Sequence, residues 1–138
     1  MSTNQIKDTA IDKFLGVQLP LCNSQYGYFN PSIFTIDQVK SDIKNLIMTR
    51  KGSRLMQPEL GTNIYNILFE QIDIYEIEEY LISDITSSIN NWLPYIFIDD
   101  IKISVGENLV NISLSFKLNE LDEEINKFNL TINYGYGV

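Results

Sequence analysis

Thr49, Lys51, Gly52, Arg54, Pro58, Glu59 and Gly61 stand close together in TRKGSRLMQPELGTN, residues 49–63. Arginine offers a planar fork of donors, a carboxylate can accept both prongs, and a proline beside it narrows the backbone's choices. Arg54 and Glu59 are therefore expected to clasp this segment as an internal salt bridge, or to contact a partner, and both can hold together. Gly52 and Gly61 mark positions where a Cβ would constrain the backbone. Other chemistry is narrow. The chain has no His, which excludes Ser-His-Asp, Cys-His and His-metal arrangements at once. Cys22 is the single cysteine, so it forms no internal disulfide, and without an activating base it reads as an inert thiol. Only carboxylate, Lys or Tyr chemistry stays open, and no metal or cofactor is expected.

The elements around this segment must hold it in place. Upstream, Thr35 with Gln38 spells a capping box, and Ile36, Val39, Ile43, Leu46 and Ile47 recur at helical spacing, predicting a helix that stops near Thr49. Lys51-Gly52 would end it through a left-handed glycine. Downstream, Thr62 or Asn63 can cap a short helix with Ile64, Ile67 and Leu68 on its buried side. A longer helix follows, with Asp73 and Glu76 as carboxylates at its N-terminus, Ile74, Ile77, Leu81, Ile85, Ile89 and Trp92 as its stripe, and Pro94 closing it. Glu76, Glu78, Glu79, Ser83 and Asp84 are expected to face outward.

From Ile96 the period changes to two. Ile101, Ile103 and Val105, then Val110, Ile112, Leu114, Phe116 and Leu118, then Phe128, Leu130, Ile132 and Tyr134 alternate with polar residues. The short connections, GEN and NELDEE, predict an antiparallel meander of three strands, oily on one face and wet on the other. Residues 1–34 hold no lasting period. FLGVQLPLCNSQYGYFNPSIF is read as an extended arm whose aromatics, Phe14, Tyr26, Tyr28 and Phe29 among them, lie against the domain or a neighbour. The expected fold is α+β: an arm over 1–34, then one domain over 35–138 with two to three helices packed on one face of a C-terminal three-stranded antiparallel sheet. Three strands leave two edges, and the last strand with its tail YGYGV carries no blocking Lys or Pro.

Composition narrows the function classes. With 138 residues, 44% hydrophobic and 20% charged, the chain can bury a substantial core without metals or disulfides. No apolar run is long enough to span a bilayer and MSTNQIKDTAIDKF does not resemble a signal peptide, so a cytosolic protein with no membrane partner is expected. The net charge of −8 opposes binding to phosphate backbones, so no nucleic-acid partner is expected. The charge is uneven. Lys40, Lys44, Arg50, Lys51 and Arg54 precede Glu70, Asp73, Glu76, Glu78 and Glu79, as solvated faces, mutual salt bridges or opposed docking surfaces.

The pattern T-x-x-G-x-R-x-x-x-P-E-x-G, on Thr49, Gly52, Arg54, Pro58, Glu59 and Gly61 and leading into IYNILFE, closely resembles the core signature of contractile-tail baseplate wedge proteins. This is the sheath-initiator family, historically labelled phage baseplate lysozyme-like and related to a type VI secretion baseplate subunit. The resemblance covers roughly residues 35 to 132 and is strongest at 49 to 70. It implies a structural subunit of the virion's tail baseplate, assembled in the host cytoplasm. It also implies partners: baseplate wedge subunits, tail sheath protein, and tail tube or tube-initiator proteins. The family's Glu-Pro-Arg core motif falls on Glu59, Pro58 and Arg54, making these residues with Gly52, Gly61 and Lys51 the structural and docking centre. Leu60 departs from the aromatic that is frequent before the glycine. The sheath would be started by strand addition along Phe128, Asn129, Leu130, Thr131, Ile132, Asn133 and Tyr134. The alternative the label suggests is a cell-wall muramidase, with Glu59 as acid and Glu70 or Asp73 as second carboxylate. An arginine beside Glu59 would favour its charged form and oppose that role, so no enzyme is expected.

Overall fold

The computed structural model describes residues 15–25, 27, 29–32, 34–70, 73–118, 120–121 and 123–134. Phe14, Tyr26 and Tyr28 of the arm, and the tail beyond Tyr134, lie outside them. The chain divides into two compact units, residues 1–45 and 46–138.

In the first unit the arm doubles back. Strands β1 (Gly16–Val17) and β2 (Pro31–Ser32) pair antiparallel. The Leu15 N–H donates to the Ser32 carbonyl at 2.9 Å and the Gln18 N–H to that of Asn30 at 2.9 Å. A hydroxyl ties this ribbon to helix α1 (Thr35–Met48): Ser41 Oγ accepts from the Leu19 N–H at 3.2 Å and donates to the Asp37 carbonyl at 3.0 Å. Val39 and Ile43 are buried at the predicted spacing, and Leu46 and Ile47 continue the stripe into the second unit. Gln38 does not close its half of the expected capping box. Gln38 instead donates to Asp42 Oδ1 at 2.8 Å, and its own oxygen is buried without a partner against Gly16.

The second unit continues through α2 (Ile64–Phe69), α3 (Ile74–Trp92), β3 (Phe97–Val105), β4 (Leu109–Lys117) and β5 (Asn126–Asn133). The three long strands form one antiparallel sheet in the order β3-β4-β5, as the alternation predicts. Val110, Ile112, Leu114, Phe116, Phe128, Leu130 and Ile132 are buried on its apolar face, and α3 lies along β3 with Ile77, Leu81, Ile85 and Ile89 buried. Each such side chain contributes roughly 1.5–3 kcal/mol on burial.

One irregularity keeps this face continuous. Ile98 pairs with Phe116 but Asp100 pairs with Ser115, so Asp99 is an extra residue in β3. In an unbroken register beyond Ile98, Ile101, Ile103 and Val105 would point to the wet face. The bulge absorbs the Asp99-Asp100 doublet and leaves Ile98 and Ile103 on the same side. Deleting Asp99 should therefore join the two halves of β3 in their present register, with only the 3.9 Å surface contact to Lys117 lost. The melting temperature is expected to change by no more than about 3 °C. Deleting Ser113 instead inverts half of β4 and should abolish cooperative unfolding.

Candidate functional site

Residues 49–63 fold into a closed joint. The chain leaves α1 and returns beside itself: Arg50 and Thr62 form a parallel bridge, the Thr62 N–H donates to the Thr49 carbonyl at 2.9 Å, and the Lys51 N–H donates to the Thr62 carbonyl at 3.3 Å. Inside this neck the Gly52 N–H donates to the Pro58 carbonyl at 2.6 Å, which closes a loop over 52–58. Gly52 has φ +84° and Gly61 φ +115°, both in the left-handed half of conformational space. The loop's tip is apolar and bare, with Leu55 99% and Met56 93% exposed.

Two side chains of α3 hold the joint from behind. Asp84 accepts from Lys51 Nζ at 2.9 Å through one carboxylate oxygen and from the Asn63 N–H at 2.7 Å through the other. One helical turn later, buried Ser88 donates to the Gly61 carbonyl at 2.9 Å. Thr62, itself buried, donates through Oγ1 to the Ile47 carbonyl at 2.8 Å and secures the end of α1. Arg50 lays its guanidinium 4.2 Å from the centre of the Tyr65 ring.

Several expectations need correction. Among the described residues Arg54 and Glu59 form no ion pair; both side chains are exposed, where such a pair is worth too little to hold a loop. The fastening is Lys51 to Asp84, so Asp84 faces the joint rather than outward. Lys51 is also the only cation of the basic cluster that forms an ion pair among the described residues, and its partner is not one of the acidic residues expected to balance that cluster. Gly52 is not a helix cap: α1 ends at Met48, and the left-handed turn at Gly52 belongs to the loop. Asn63 occupies the N-cap of α2 without a side-chain bond, and Thr62 turns its hydroxyl to α1. Ser88 escapes the sequence reading, although a serine between Ile85 and Ile89 on the apolar stripe is a polar group that needs a buried partner. Glu59, Glu70 and Asp73 are all exposed, whereas a glycosidase acid is seated in an apolar pocket.

Beside the joint, Lys51, Pro58, Glu59, Ser87, Ser88, Asn91 and Trp92 line a cavity of about 570 Å³ against the last two turns of α3.

The second candidate region is the outer edge of β5. Phe128, Leu130 and Ile132 are buried, while Asn129, Thr131 and Asn133 are exposed on the wet face. Tyr134 follows the strand, and its N–H donates to the Asn108 carbonyl at 3.0 Å. Alternate residues of an antiparallel strand turn both backbone groups toward one neighbour. Counting from Tyr134, residues 132, 130, 128 and 126 therefore bond to β4. Lys127, Asn129 and Thr131 point their N–H and C=O groups away from it, and no described strand lies there. The strand's end is pinned: the Tyr134 hydroxyl donates to the Gly106 carbonyl, and its ring meets Phe69 edge-on at 6.5 Å.

Among the similar solved structures, two share this fold. A protein from Geobacter sulfurreducens that carries a provisional tail-lysozyme label superposes with a TM-score of 0.62 at 15% identity, over 73% of this chain and 92% of its own. A chain of the anti-feeding prophage baseplate superposes with a TM-score of 0.56 at 17% identity, over 86% of this chain and 84% of its own. At such identities the likeness concerns the fold. No curated protein matches the sequence. The family described as baseplate wedge protein gp25 matches residues 35–123, well over half of the chain and all of the joint. The matched span includes the neck, the two left-handed glycines and the following α2, and the chain belongs to the baseplate wedge protein gp25 family.

Proposed function

We propose that the protein joins the wedge of a contractile-tail baseplate to the sheath and initiates sheath assembly by accepting strands at the outer edge of β5. The observation that carries this reading is the row of outward backbone groups at Lys127, Asn129 and Thr131. An added strand would bond to these groups in the manner of any sheet extension, while Phe128, Leu130 and Ile132 stay buried on the apolar face. Main-chain pairing tolerates variation in the partner's side chains, and it spreads a shear load over several bonds. The joint is the wedge-facing surface, with Arg54, Leu55 and Met56 exposed for contact and Gly52, Pro58 and Gly61 giving them shape. In this reading residues 35–138 act as the wedge domain, residues 1–34 as an arm, and assembly takes place in the host cytoplasm. Wedge subunits and sheath protein are direct partners, and tube or tube-initiator proteins are further contacts.

Thr131→Pro tests the edge. It removes an N–H that points away from β4, so the fold should survive with a melting temperature close to that of the unaltered chain. Co-sedimentation with sheath protein is expected to disappear. Assembly of Thr131→Pro at the normal level would overturn strand addition at this edge. Leu130→Pro, which removes a ladder bond to β4, serves as the contrasting variant and should not fold.

A further inference from the structure

We propose that the cavity beside the joint is a receptor for an arginine side chain presented by a protein partner. Two independent features make it a cation site. Glu59 lines it with an exposed carboxylate that has no ionic or hydrogen-bonding partner among the described residues. The last two turns of α3 form its wall through Ser87, Ser88, Asn91 and Trp92, and the final turn carries no basic residue. Helix C-termini concentrate partial negative charge on their terminal carbonyls, and the final turn of α3 supplies no cation of its own to answer it.

The one positive group in the lining does not cancel this field. Lys51 is held by Asp84 at 2.9 Å, so the pair is neutral and the cavity retains the charge of Glu59. Shape then selects among cations. Trp92 and Pro58 supply flat and apolar surfaces, against which a planar guanidinium stacks while its edge donates to the carboxylate and to the amide oxygen of Asn91. An ammonium is compact and strongly hydrated and uses such surfaces less well. The volume of about 570 Å³ accommodates an arginine side chain with part of the peptide that carries it.

This assignment rests on the wedge-facing reading of the joint, and the two can fail separately. Trp92 is the chain's single tryptophan, so its emission and its indole N–H resonance report on this cavity alone. The purified full chain is titrated with Nα-acetyl-arginine amide, its neutral citrulline analogue and the lysine analogue. Arginine should give a saturable response, citrulline none, and lysine a response weaker by about tenfold in affinity. Glu59→Gln should weaken arginine binding by about tenfold with an unchanged melting temperature, because Glu59 makes no contact on which the fold depends. An equal response to citrulline, equal binding of lysine, full binding by Glu59→Gln, or no saturable response to arginine would each overturn the assignment. If the chain fails to take arginine yet co-assembles with wedge subunits, the receptor falls and the docking reading stands. If it takes arginine but does not co-assemble, the receptor stands and the docking reading falls.

Discussion

Gly61→Ala is expected to lower stability by more than about 3 kcal/mol and the melting temperature by about 10 °C in thermal denaturation. Two effects add. At φ +115° an L-residue is strained, and the new Cβ would land on the Thr49 carbonyl oxygen, with its carbon only 2.8 Å away. That oxygen belongs to backbone and accepts from the Thr62 N–H, so it cannot move aside without opening the neck. Gly52→Ala is the matched comparison. Its φ of +84° also disfavours a side chain, but nothing lies within 4 Å of the added atom, and a loss of about 1 kcal/mol is expected. Equal losses at the two positions would show that conformational strain, rather than the close approach at Gly61, sets the cost.

Asp84→Ala is the second large effect, a loss of about 3 kcal/mol by chemical denaturation. The substitution removes both acceptors at once, leaving Lys51 without its counter-charge and the half-buried Asn63 N–H without a partner. Charge-assisted bonds of this kind are worth more than neutral ones. Asp84→Asn separates the two contributions, because an amide oxygen can still accept from the Asn63 N–H while the ion pair is gone. About half of the loss should return. The ion pair itself is partly exposed, so Lys51→Met is expected to cost no more than about 1 kcal/mol.

The sheet is legible in the sequence because alternation is a local property: Val110 to Phe116 and Phe128 to Ile132 declare their faces without knowledge of any partner. The bulge at Asp99 is not legible. An acidic doublet reads the same whether or not a strand absorbs it, and only the pairing to Ser115 and Phe116 reveals the slip. The glycines and proline locate the joint, yet they do not disclose its fastening. Opposite charges near each other in sequence suggest Arg54 with Glu59, whereas the pair that forms joins Lys51 to Asp84 on another helix. Distance along the chain hides such partners, and only Ser88, polar within an apolar stripe, leaves a trace of the joint's attachment to α3. The ribbon at Gly16–Val17 and Pro31–Ser32 leaves none, since two-residue strands are too short to display a period.

Asp84 and Ser88 lie one turn apart on the same side of α3 and grip the two sides of the joint's return, at Asn63 and Gly61. Two anchors resist rotation where one would act as a pivot. A pull on the exposed tip at Leu55 and Met56 therefore runs into α3 as a rigid bracket, and from α3 into β3 along their shared contact. The sheet carries it onward to β5, whose far end is moored by Tyr134 to Gly106 and Phe69. Fixed contacts thus run without a break from the base of the loop through α3 and β3 to the sheet edge.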